Sequence, residues 1–302
     1  MMTMSASITS SRTDDQVRQV TQRFEAAARR GVELALRKVD PDRDGVQRLI
    51  EVGAEADEEI IEAILNVVRS HSVTNQFADE ETESEYGYLS GYAPKDITTQ
   101  TNRLRELFTG IGYADEQIAM GELLANAEGW FAIPKWQTMA PTYGEAVQMV
   151  LDMIKQTRSN KFYNYCENLL DPAHLRQSAK SEKIWEAIAE QQPNHDIMVV
   201  QAQFGLLHRG RSVRRAREVM NANQFGLGAF AVGIMLLTHP ERLQNYDDLY
   251  VDCAGDEFSS EAAGGFGNAP YFNFSDGGVK FYAYWVGDTY ARYGSASGFL
   301  PQ

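Results

Sequence analysis

The chain has 302 residues, a formal net charge of −14 at pH 7, 43% hydrophobic residues and two cysteines. That length can bury a core without metals or disulfides. Two cysteines, Cys166 and Cys253, exclude a disulfide framework and fit a reducing cytosol, and the negative field repels nucleic-acid backbones but leaves room for a local basic site.

Residues 1–13 are Ser/Thr-rich and read as a disordered tail. The opening "MMTMSASITSSRTDDQ" has no apolar stretch of signal-peptide length, so export by that route is not expected. From Asp14 to Val39, the residues Val17, Val20, Phe24, Ala28, Val32 and Leu36 recur at helical spacing. Residues 56–70 repeat the signal through Ile60, Ile61, Ile64, Leu65 and Val68, and these two helices are expected to pair antiparallel.

The connection between them, "DPDRDGVQRLIE", has the spacing of an EF-hand calcium loop. Asp40, Asp42 and Asp44 alternate before Gly45, and Glu51 would close the loop with two oxygens. Against calcium, Gln47 stands where the loop wants an apolar residue, and no second loop follows. The competing reading is a helix begun just after Gly45, with Asp44 as its cap and Asp42 near its positive end.

Asp79, Glu80, Glu81, Glu83 and Glu85 then place five acids in seven residues. This reads as a solvated loop that Tyr86, Tyr88 and Tyr92 anchor to the body. Helices are expected near 97–109, 114–126, 143–157 and 172–191, with "GWFAIPKWQTMAP" as an aromatic connector. Strand signals begin after Pro193. "DIMVVQAQF" reads as a buried strand and "DLYVDC" as a short one. "FGLGAFAVGIMLL", 225–237, is a buried helix too short to span a bilayer, and its glycines permit close helix packing. Thr238, Pro240 and Glu241 start a short helix after it. "APYFNFSDGGVKFYAYW" reads as a hairpin turning at Ser275–Gly278. The last segment, "YGSASGFLPQ", is a Gly/Ser-rich tail whose Phe299 and Leu300 could tuck into a groove.

Two further clusters carry candidate chemistry. Arg209, Arg211, Arg214, Arg215 and Arg217 lie within nine residues, and Ser212 is the expected N-cap of the helix they enter. Guanidinium forks around a helix start suit a phosphate, free or in a nucleic acid. The same arginines could instead pair with the chain's own surplus of carboxylates. Asp252, Asp256 and Glu257 follow a strand signal, where carboxylates can hold a divalent metal such as Mg2+ or do acid/base work. A plain polar loop is the reading these residues favour over a site. The five histidines show no zinc-ligand spacing, and no phosphate-binding or nucleophile motif is present.

The stretches "GRSVRRAREVMNANQFGLGAFAVGIMLLTHPERL", "DCAGDEF" and "GSASGFLPQ" resemble a group of uncharacterised bacterial proteins, over roughly residues 70–302. The resemblance implies a bacterial, cytosolic setting and carries over no catalytic residue.

The expected fold is α+β and predominantly helical. A helical region, 14–194, packs as one body with a mixed region, 195–302, whose small β element centres on the 271–285 hairpin. The expected function is non-enzymatic binding or scaffolding, for a protein partner or a phosphate-containing ligand, in the cytoplasm and off the membrane. No cofactor is expected beyond Ca2+ or Mg2+. The alternatives are a metal-assisted phosphoester hydrolase using the arginines with Asp252, Asp256 and Glu257, and a calcium-binding regulator.

Overall fold

The computed structural model describes residues 14–71, 75–262 and 264–300, so the tail expected over 1–13 lies outside the described residues. The chain divides into two compact units, Met1–Asn75 and Gln76–Gln302.

The first unit consists of α1, Asp14–Val39, and α2, Arg43–His71. The cap of α2 is Asp42, whose carboxylate accepts the Gly45 N–H at 2.7 Å. The helix therefore begins two residues before Gly45, and Asp44 lies inside its first turn. Among the described side chains of both helices none is buried. Val20, Val32 and Leu34 on α1 are more than half exposed, as are Ile60 and Ile61 on α2. Among the described residues the antiparallel pairing expected of the two helices is not seen along their length, and both apolar stripes stay open.

In the second unit the chain order is α3 Ile97–Leu107, β1 Gly129–Pro134, α4 Tyr143–Thr157, β2 Phe162–Asn164, β3 Leu175–Gln177, α5 Ala179–Gln191 and β4 Ile197–Gln203. Then come α6 Val213–Val219, β5 Gln224–Gly226, α7 Ala229–Thr238, β6 Tyr250–Asp252, β7 Asp256–Phe258, β8 Asn268–Ser275, β9 Gly278–Trp285, β10 Tyr293–Ser295 and β11 Ser297–Phe299. Local chemistry sets several of these boundaries. Thr142 and Glu145 close a capping box on α4, Ser178 caps α5, and Asp96 caps α3.

The strands form two sheets, one of four strands ordered β1-β4-β11-β5 and one of seven built around β8. The expectation of a predominantly helical chain is therefore corrected: the fold is mixed α/β. Its strands escape periodicity because seven of the eleven described strands have only three residues and draw their hydrogen bonds from distant segments. The connector "GWFAIP" is β1, fully registered against β4. The 114–126 helix is reduced to a 3-10 turn, Glu116–Met120, and the front of the 172–191 helix is β3.

The C-terminal tail does more than tuck into a groove. As β11 it lies inside the four-stranded sheet, bonded to β4 and β5. Gly298 makes this fit, because a Cβ there would stand 2.6 Å from the Phe225 ring. All ten residues of α7 are buried. Gly233 lets α4 approach α7, since a Cβ at that position would meet Val150 at 2.5 Å. Val251, Phe272 and Phe281 turn one face of the seven-stranded sheet into this same core.

Candidate functional site

The arginine cluster sits where the sequence places it, at the start of α6. Ser212 caps the helix by accepting the Arg215 N–H at 3.0 Å. Its arginines face internal partners. Arg214 Nε donates to both oxygens of Glu80 at 2.8 Å, and the Ser212 hydroxyl donates to the same carboxylate at 2.6 Å. Arg215 pairs with Glu81 and Glu218, and Arg211 with Glu81 at 3.4 Å. Arg209 donates to the Tyr86 carbonyl at 3.1 Å. Glu80 and Glu81 of the acidic run are thus counter-charges of the basic run. The Arg214 hydrogen bond holds the Glu80 carboxyl below its usual range, and it outweighs the opposing effect of burial.

Arg217 departs from the other four. It is half-buried, and its loss of solvent lowers its pKa. It donates to the carbonyls of Ala254 and Asp256 at 2.9 and 2.6 Å, so the two sequence candidates meet through this one side chain.

The three carboxylates beyond it diverge. Glu257 turns outward and accepts from Arg176 Nε at 2.8 Å. Asp256 is buried and accepts the Tyr143 hydroxyl at 2.8 Å and the Ala229 N–H at 2.7 Å, which caps α7 from a distant strand. Burial pushes its pKa up to about 7 against the pull of those two donors. Asp252 is also buried, yet neither of its oxygens has a hydrogen-bond partner among the described residues. Burial pushes it up to about 8, with the Tyr284 hydroxyl and the Arg217 charge pulling the other way. The Tyr284 and Ser295 hydroxyls likewise lack a well-formed hydrogen bond.

Asp252 belongs to a face of tyrosines. It stands opposite Tyr271 in the β6–β8 pairing and beside Ser295 in the β6–β10 pairing. Strand alternation puts Tyr250 on its side of β6 and sends Val251 to the core. Tyr271, Tyr284 and Tyr293 form a triangle with ring centroids 4.9–5.3 Å apart. From it, ring contacts run to Tyr250 and Tyr290, and through Tyr282 to Tyr165 and Tyr163. Tyr163, Tyr165, Tyr282 and Tyr290 are exposed at the rim. This face already holds one cation of its own. Arg292 lies over the rings of Tyr86, Tyr246 and Tyr250, at 4.9, 4.4 and 5.4 Å from their centroids.

The sequence singled out Asp252 but not the tyrosines around it. Their signal was the period of two in Tyr250/Asp252, Tyr282/Tyr284 and Tyr293/Ser295. The cross-strand pairing that joins them is invisible to a single strand's pattern.

The calcium stretch lies in the first unit. Its residues are wound into α2 from Arg43 onward, so Glu51 stands about 12 Å further along the axis. Glu51 accepts from Gln47 Nε2 at 3.0 Å, four residues back. Asp40, Asp42, Asp44 and Glu51 are not gathered around one point. Among the described residues no group of three or more His, Cys, Asp and Glu side chains could hold a metal ion. No described helix is long and apolar enough to cross a membrane.

No protein-family model, no curated protein and no solved structure matches the chain.

Proposed function

We propose that the protein is a non-enzymatic binding protein whose ligand surface is the tyrosine face of the seven-stranded sheet, and that it takes a basic segment of a partner protein. One observation carries this reading. Asp252 is a fully buried carboxyl with no well-formed hydrogen bond among the described residues, set under a lattice of aromatic rings with the Tyr284 hydroxyl and the Arg217 charge acting on it. An unpaired buried carboxyl works against the fold, so its place there makes sense through a use.

The surroundings suit a cation. Tyrosine rings attract ammonium and guanidinium groups, and Arg292 already exploits this. The net charge of −14 draws basic partners toward the molecule. The arginine cluster suits an external anion less, because Glu80, Glu81 and Glu218 occupy its guanidinium groups. The carboxylates suit a hydrolase less, because they face three different environments. A cytosolic setting accords with Cys166 and Cys253, both free and buried.

The test is calorimetry and tyrosine fluorescence with arginine- and lysine-rich peptides, beside acidic peptides and inorganic phosphate. The expected result is binding of basic peptides only, weakened about tenfold by Tyr282→Ala with Tyr290→Ala. Asp252→Asn is expected to weaken it further at pH 8 and above, where the carboxyl ionises. Binding of phosphate that Arg211→Glu removes, with the tyrosine variants neutral, would overturn the proposal.

A further inference from the structure

We infer that the first unit is a self-association element, in which α1 of one chain packs antiparallel on α2 of a second copy and the reverse pair completes a four-helix assembly. The inference is independent of the tyrosine face.

The observation behind it is two open apolar stripes of opposite charge. On α1, Val17, Val20, Val32, Leu34, Leu36 and Val39 are 40–74% exposed, and on α2 Val46, Val52, Ile60, Ile61, Ile64, Val67 and Val68 are 36–54% exposed. Helices of this kind draw most of their stability from a covered face, so such stripes ask for an occupant. Charge selects it. The α1 sequence has six basic and four acidic residues, whereas α2 has three basic and seven acidic. Like helices repel and unlike helices attract, which makes two copies of this chain complementary to one another.

Orientation follows from the same charges. Antiparallel packing lays Arg37 and Lys38, at the end of α1, beside the start of α2, where Asp44 and Glu51 lie. The area is sufficient. A strip about 10 Å wide along each helix, at a rise of ~1.5 Å per residue, totals roughly 800 Å² per chain, the size of a standard stable interface.

Sedimentation equilibrium on the full chain is expected to give twice the 33.9 kDa chain mass at micromolar concentration. Val20→Glu with Leu36→Glu is expected to return the monomer, with the near-ultraviolet circular dichroism of the second unit unchanged. Separately made Val17→Cys and Ile64→Cys chains, mixed and oxidised, are expected to join to each other, since Cys166 and Cys253 are buried. A monomer at all concentrations would overturn the inference, as would a double variant that closes only on itself. A monomer that sediments with phosphatidylglycerol vesicles would also overturn it, in favour of a lipid surface.

Discussion

The start of α6 and the tyrosine face of the sheet are adjacent, yet they treat charge in opposite ways. At α6, Glu80, Glu81 and Glu218 receive the guanidinium groups of Arg211, Arg214 and Arg215. On the sheet, Asp252 has no well-formed hydrogen bond among the described residues and is buried to a greater degree. The conspicuous cluster is internally satisfied, and the inconspicuous carboxyl is the one with chemistry left over. Density of charge in a sequence therefore points to where charges pair. Unmet hydrogen-bonding capacity, which depends on the fold, points to where a ligand is wanted.

The largest effect that sharpens this contrast belongs to Asp252→Asn. The folded pKa is raised from 3.8 to about 8. Stability from this group is full below the unfolded value and falls as pH rises toward the folded one. The amide removes that fall, so the variant is expected to melt at a clearly higher temperature than the parent chain at pH 8, with the gap closing toward pH 4. Thermal melts across that range measure it. A variant that gains stability while losing basic peptides would separate use from support.

Asp256 is the matched control four residues away. Asp256→Ala strips the Tyr143 hydroxyl and the Ala229 N–H of their acceptor inside the core. A loss of about 2–3 kcal/mol is expected in denaturant titration. Gly298→Val comes next. It pushes β11 off Phe225 and is expected to cost roughly 1–3 kcal/mol, read as faster amide exchange in β4 and β5.

Legibility in the sequence followed the range of the interactions. α4 was readable to the residue because its capping box and apolar period lie within fifteen residues. The 268–285 hairpin was readable because its turn is local, with Asp276 and Gly277 at positive φ. β3, β7 and β10 were hidden, since three-residue strands owe their conformation to neighbours far along the chain. The EF-hand spacing misleads for a related reason. Alternating acids fix what a loop could bind, whereas the Asp42 cap decides that those residues wind into a helix. At the candidate site, Asp252 could be found by its type, but its isolation could not, because isolation is a property of what surrounds it.

The smallest effect concerns the clamp on the acidic segment, and it runs opposite to that of Asp252. The folded pKa of Glu80 is lowered, first by its hydrogen bond with Arg214. Its contribution is therefore present above the unfolded value of 4.5 and is lost as pH falls through the folded one. Acid should release residues 76–84 while the sheets remain folded, because the core beneath α7 holds no part of this pairing. Limited proteolysis with an acid-active protease is expected to cut there at pH 3 and to spare the core. Glu80→Gln should move the onset of cutting to neutral pH, and that shift, with no change in peptide binding at the tyrosine face, would mark the arginine cluster as an internal fastening. Loss of peptide binding in the same variant would instead join the two regions into one site, and the contrast drawn between them would fall.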